Sequence, residues 1–255
     1  MAKIVAIANQ KGGVGKTTTA INLSACLAYL NKKTMLIDLD PQGNSTTGLG
    51  IDKRNTSLSA YDIIINDKKV EDVVVPTVQN NLVICPSNIN LAGAEVELVS
   101  QISRETRLAD ALEPVLSKYD YIMIDCPPSL GLLTLNALTA ANTVLVPIQC
   151  EYFALEGLSQ LMETIKIVQR RLNTSLSVEG VVLTMFDSRT NLSIEVAEEV
   201  RRHFSDRVYQ TVIPRNVKLS EAPSYGLPIV MYDKNSKGAE AYLNLAQEFI
   251  RISGI

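Results

Sequence analysis

The stretch that most limits the fold is KIVAIANQKGGVGKTT, running from Lys3 to Thr18. Residues 3–8 are apolar and rich in β-branched side chains, the pattern of a strand buried on both faces. Gly12, Gly13 and Gly15 then turn the chain. From residue 17 to 30, Ala20, Leu23, Leu27 and Leu30 recur at helical spacing. A strand, a glycine turn and a helix in this order place the turn beyond the carboxyl end of the strand. Open α/β sheets bind their ligands there. The glycines let the backbone bend tightly and aim its N–H groups at one point, with Val14 between them. The helix N-terminus adds positive potential, so the loop is built for an anion such as a phosphate.

Two lysines share this loop. Lys16 is placed to reach the β- and γ-phosphates of a nucleotide, the Thr17 hydroxyl to ligate Mg²⁺, and Thr18 to bond an α-phosphate oxygen. The usual template GxxxxGK[ST] asks for glycine where this chain has Gln10, and it has no place for Lys11. The spacing alone leaves Lys11 unexplained.

The rest of the chain alternates short apolar runs with amphipathic stretches. Strands are predicted at 34–39, 82–85, 121–124, 143–148, 178–185 and 210–213, and helices at 104–116, 130–141, 155–172, 192–204 and 239–252. Alternation of this kind gives an α/β fold: a doubly wound, mostly parallel sheet flanked by helices on both faces. No Pro/Gly/Ser-rich linker interrupts it, so residues 1–255 are expected to form a single domain. The four cysteines, Cys26, Cys85, Cys126 and Cys150, lack metal or redox spacing and read as buried free thiols of a reducing cytosol. No run is long enough for a signal peptide or a transmembrane helix.

A nucleotide held with magnesium needs carboxylates at neighbouring strand ends. Asp125 closes the apolar run YIMI, the Walker B pattern, and is expected to hold the metal through water. Asp38 and Asp40 close strand two in LIDLDPQGN. Asp40 is assigned the positioning of the attacking water, and Asp38 a supporting place at the magnesium.

These motifs resemble one family closely. KGGVGKTT, with Lys11 as signature lysine, is similar to the deviant Walker A loop of the MinD/ParA class of P-loop ATPases. IDLDPQGN, IDCPPSLG, PIQCEYFALEGL and VIPRNVKLSEAPSYGLPI resemble ParA-type chromosome or plasmid partitioning ATPases, and most of all the small Soj-like proteins. The likeness runs from Lys3 to about Ala246. It implies a P-loop NTPase fold, ATP with Mg²⁺, and an ATP-dependent homodimer in which Lys11 reaches the partner's phosphates; the lack of an obvious strong base predicts slow basal hydrolysis. A cation delivered in trans acts as an arginine finger does and makes ATP part of the interface. The same resemblance places Pro214 and Asn216 at the adenine.

It also implies non-specific binding of double-stranded DNA by the dimer, through Arg189 and Lys218, with Arg201 and Arg202 as further candidates. Release would follow hydrolysis stimulated by a ParB-type centromere-binding protein. The expected location is cytoplasmic and nucleoid-associated, without a membrane. The net charge of −3 excludes a broadly basic DNA-coating monomer, but not a local patch doubled by dimerisation. With so little chain before Lys3, no separate operator-binding domain is expected. The alternative is a MinD-like membrane ATPase, which needs a cation-rich amphipathic C-terminal helix; AYLNLAQEFIRISGI carries one cation, Arg251. A redox protein like the nitrogenase iron protein needs cysteine pairs absent here, and an ATP-dependent synthetase, of dethiobiotin or cobyrinate type, needs a substrate pocket that the sequence does not reveal.

Overall fold

In the computed structural model, which describes residues 1–151 and 156–254, the apolar runs assemble into one seven-stranded sheet. Its strands are β1 (Lys3–Ile7), β2 (Thr34–Asp38), β3 (Val75–Pro76), β4 (Leu82–Cys85), β5 (Tyr121–Asp125), β6 (Thr143–Gln149) and β7 (Ser177–Thr184). Their order is β3-β4-β2-β5-β1-β6-β7. All pairings are parallel except the antiparallel edge pair β3–β4.

Every residue of β2 and β5 is buried, because helices cover both faces. The period of two divides each strand between two cores. Ile4 and Ala6 of β1 face one core, with Ile37, Ile124 and Val146. Val5 and Ile7 face the other, with Leu36, Met123 and Leu145. The helix Lys16–Tyr29 lies over the second face and is buried from Thr19 to Ala28. Its small residues let the C-terminal helix Lys237–Ser253 pack against it. That helix starts at Ser236, whose hydroxyl accepts a hydrogen bond from Ala239 N (3.2 Å), and it buries Tyr242, Leu245 and Phe249. Its apolar face is thus spent on the core. No helix among the described residues is long and apolar enough to cross a membrane.

Two departures from the sequence expectation have physical causes. The predicted strand at 210–213 is not one. The Glu248 carboxylate accepts hydrogen bonds from the main-chain N–H groups of Gln210 (2.7 Å) and Thr211 (2.9 Å), which a ladder would have needed. Only isolated links to β7 remain, such as Ile213 N to Leu183 O at 2.8 Å. The seventh strand is instead β3, too short to carry a periodic signal and containing a proline, which a sheet tolerates at its edge. The predicted helix 155–172 appears as Glu156–Arg171. Its first expected residue, and residues 152–155 of the PIQCEYFALEGL motif, lie outside the described residues. All four cysteines are buried and free.

Candidate functional site

The phosphate loop leaves β1 at the centre of the sheet and is fastened to the strands beside it. Asn9 Nδ2 donates to Pro147 O on β6 (2.8 Å), while Asn9 Oδ1 accepts from Lys11 N (3.0 Å). Thr184 at the end of β7 donates its hydroxyl to Val14 O (2.8 Å). Gly13 and Gly15 have φ of 77° and 87°, the left-handed region that side chains disfavour. A Cβ at Gly12 or Gly13 would meet nothing within 4 Å, so both border open space.

The two lysines have opposite surroundings. Lys16 is 6% exposed and donates to Lys11 O at 2.9 Å. Burial lowers its pKa, and the carboxylate of Asp125 chiefly opposes that. The Lys11 side chain stands on the rim, 34% exposed, 3.9 Å from Glu151 Oε2.

Asp38 and Asp125 are register partners across β2 and β5, and both are fully buried. Burial raises the pKa of each. At Asp125 the neighbouring Asp38 adds to the rise, and the Ser45 and Thr17 hydroxyls oppose it. Asp125 Oδ2 accepts from Ser45 Oγ (2.8 Å); the Thr17 hydroxyl is near enough to favour the charged form, but Oδ1 is buried without a hydrogen bond of ordinary length among the described residues. Such an orphaned oxygen costs about 1–3 kcal/mol unless something positive occupies the space before it. Asp38 differs. Its Oδ2 accepts from the N–H (2.8 Å) and hydroxyl (2.7 Å) of Thr46, and its Oδ1 from Asp40 N (3.2 Å). Thr46 Oγ1 in turn accepts from Ser87 N (2.8 Å). Asp38 therefore holds the loop after β2, and a direct metal bond would have to displace these donors. Among the described residues no three acidic, histidine or cysteine side chains converge to hold an ion by themselves. A metal here would need a hydroxyl such as that of Thr17, water and phosphate oxygens, as Mg²⁺ commonly takes.

Asp40 is less buried. Its Oδ1 accepts from Gln42 N (2.9 Å), and its carbonyl accepts from Gly43 N (2.8 Å) and Ser87 Oγ (2.7 Å), which fixes the turn 40–43. Beside the loop on its other flank is a pocket of about 360 Å³, lined among others by Gly15, Thr18, Met185, Pro214, Asn216 and Tyr242. Pro214 and Asn216 are thus brought to the phosphate loop. Asn216 also caps the helix Val217–Glu221, with its Oδ1 accepting from Lys218 N (2.9 Å). That bond uses one of the two lone pairs of Oδ1 and leaves the amide N–H groups to a base. An asparagine two residues before Lys218 is itself a helix-start signal, which the base-recognition reading passed over.

Arg189 and Lys218 are each paired with a nearby acid. Arg189 grips Asp187 through Nε (2.9 Å) and a terminal nitrogen (2.7 Å), with its side chain 85% exposed. Lys218 Nζ donates to Glu221 Oε2 (2.9 Å) and sits 5.7 Å from the centre of the Tyr232 ring. Sequence reasoning missed Ser45, Thr46, Ser87 and Glu151. Nothing in their spacing distinguishes them from ordinary loop residues.

A glycine loop pinned between parallel strands, with a buried lysine, a buried orphaned carboxylate and a second lysine at the rim, defines a P-loop ATPase of the deviant Walker A kind. The AAA domain family matches residues 2–178. The sporulation initiation inhibitor protein Soj of Bacillus subtilis is 62% identical over 248 residues, covering 97% of this chain and 98% of that protein. The chromosome partitioning protein ParA of Myxococcus xanthus is 55% identical, covering 98% of this chain and 88% of that one. The chain belongs to the ParA/Soj family of chromosome-partitioning ATPases. Among solved structures, the cobyrinic acid a,c-diamide synthase of Mycobacterium smegmatis with bound ADP and magnesium superposes with a TM-score of 0.88. It is 38% identical and is matched over 100% of this chain and 96% of its own.

Proposed function

We infer that the chain, acting as one domain, is a nucleotide-switched DNA-partitioning protein. With ATP and Mg²⁺ two copies pair across their nucleotides. The pair binds double-stranded DNA without sequence preference, and hydrolysis stimulated by a ParB-type partner releases it. The observation that carries this reading is the contrast between the lysines. Lys16 is buried in its own site and sufficient for its own phosphates. Lys11 stands on the rim, half exposed, where it could be given over to the phosphates of a facing copy. The solved relative with ADP and magnesium supports the same ligands here.

The geometry supports the following roles. Gly12, Gly13, Val14 and Gly15 offer main-chain N–H groups to the phosphates, and Lys16 exchanges the Lys11 carbonyl for a phosphate oxygen. Thr17 and Asp125 would hold the magnesium, Asp125 through water. Asp38 supports them by fixing Thr46 and the Asp40 turn. Magnesium bound there would spread phosphate charge. Asp40, on the half-open turn, orients water. Thr18, Pro214 and the Asn216 amide surround the α-phosphate and base.

Arg189 and Lys218 exchange their acid partners for DNA phosphates. Exposed ion pairs are weak, so the exchange is easy, and dimerisation doubles the number of cations that face the duplex. A protein of this kind would work in the cytoplasm, on the nucleoid. The buried apolar face of Lys237–Ser253 leaves a membrane reading without its anchor. The identities of 62% and 55% to partitioning relatives, against 38% to the synthase, favour partition over synthesis.

The test is a mobility shift on random-sequence duplex DNA with ATP, ADP or no nucleotide at two salt concentrations. Binding with ATP alone, weakened by salt, is expected. Binding that ignores nucleotide, or none in any state, would overturn the switch.

A further inference from the structure

One carboxylate stands between two cations at the rim of the site. Glu151 follows the end of β6, its backbone fixed by Glu151 N donating to Gln149 O (2.8 Å) and Cys150 N to Thr184 O (3.2 Å). Its Oε2 lies 3.9 Å from Lys11 Nζ, and its Oε1 lies 3.7 Å from a terminal nitrogen of Arg215. Gln149 Nε2 donates to the same Oε1 at 2.5 Å. Among the described residues, no other carboxylate is within ion-pair distance of Lys11.

Arg215 connects onward. Its N–H donates to Phe186 O (3.1 Å), and its charge reaches Asp187, whose carboxyl is held low first by Arg189 and more weakly by Arg215. Charges therefore alternate from the phosphate loop to the Asp187–Arg189 turn: Lys11, Glu151, Arg215, Asp187, Arg189.

The geometry points to Glu151 as a positioning residue that holds Lys11 against its own subunit until the triphosphate of a facing copy takes it. This rests on the reading that Lys11 acts across the dimer. Both ion pairs are long and half exposed, the regime in which such a pair is weak and readily exchanged. A facing triphosphate carries more negative charge than one carboxylate and outcompetes it. Without Glu151, Lys11 would face Arg215 with nothing between them, and like charges would push the lysine outward. When Lys11 leaves, Glu151 is left to Arg215, so pairing of the subunits is felt between Pro214 and Asn216 and at the loop of Arg189.

The experiment compares wild type with Glu151→Gln, which keeps shape and removes charge. Thermal melting first verifies that both are folded. In nucleotide-free protein, pulse acetylation read by peptide mass spectrometry follows Lys11, with Lys218 as internal reference. Lys11 should react about two-fold faster in the variant, and Lys218 should be unchanged. Sedimentation with Mg·ATP then gives the dimer Kd. Two lysines are released per dimer, so a gain of about two-fold each predicts a Kd about four-fold lower in the variant. Unchanged Lys11 labelling would overturn the proposal. So would a weaker dimer, since Glu151 would then be contributing to the interface rather than restraining it. Faster labelling with no dimer in either protein would support the restraint and refute the dimer reading instead.

Discussion

The acidic corner beneath the phosphate loop and the charged rim around it handle the same kind of group in opposite ways. In the corner, Asp38 and Asp125 are buried without any cation in hydrogen-bond contact, and hydroxyls and main-chain N–H groups do the holding. At the rim, Glu151, Asp187 and Glu221 each sit against a lysine or arginine in a half-exposed pair. Buried dipoles cannot be re-partnered cheaply, so the corner is a fixed frame with one deliberate gap at Asp125 Oδ1. Surface pairs cost little to exchange, so the rim can hand its cations to phosphates. The frame suits binding one nucleotide; the rim suits switching between partners.

The sharpest way to break this contrast is Asp125→Asn. Removing the charge at the gap should weaken Mg²⁺ affinity by about 10–100-fold. It should also stabilise the nucleotide-free protein by about 1–3 kcal/mol, since a desolvated carboxylate beside Asp38 disappears. Magnesium titration and denaturant melts measure the two halves. A variant that loses stability would show that the gap is not a strained one.

Next comes Thr46→Val. Its hydroxyl links Asp38 to Ser87 N, so the change strips a buried carboxylate and a buried N–H of a partner. A loss of about 2–4 kcal/mol is expected by urea denaturation, far above a surface change. A loss under about 0.5 kcal/mol would mean that the frame is looser than its hydrogen bonds imply.

Arg189→Ala sharpens the comparison from the rim side. Stability should move by no more than about 0.5 kcal/mol. The slope of log DNA affinity against log salt should fall by about one for each arginine–phosphate pair removed. The smallest effect is at Asp187. Arg189 lowers its carboxyl to about 2, so its pairing is complete above the usual carboxylate pKa and is lost only as pH falls through about 2. In Arg189→Ala, an NMR titration should find this carboxyl back near the ordinary range.

What was legible in the sequence follows the same division. The phosphate loop is local: its glycines turn where the chain puts them, and Asp125 closes the apolar run that announces it. The reading failed where a distant group decides. Gln210 and Thr211 look like strand residues until Glu248, far along the chain, takes their N–H groups. Asn216 reads as a base contact, and the fold adds a second task, capping the helix after it. Asp38 reads as a support at the magnesium, and the fold adds what it holds, Thr46 and the main chain of Asp40. Glu151 lies in the PIQCEYFALEGL motif but gave no signal of a role, because that is set by Lys11 and Arg215, which only the fold brings near.

The most direct test of the account is sedimentation of wild type and Lys11→Ala with Mg·ATP, beside a measurement of ATP affinity. The account predicts that Lys11→Ala binds ATP nearly as well as wild type but stays monomeric. A variant that still dimerises, or one that no longer binds ATP, would show that Lys11 serves its own nucleotide and that the two lysines do not divide the work.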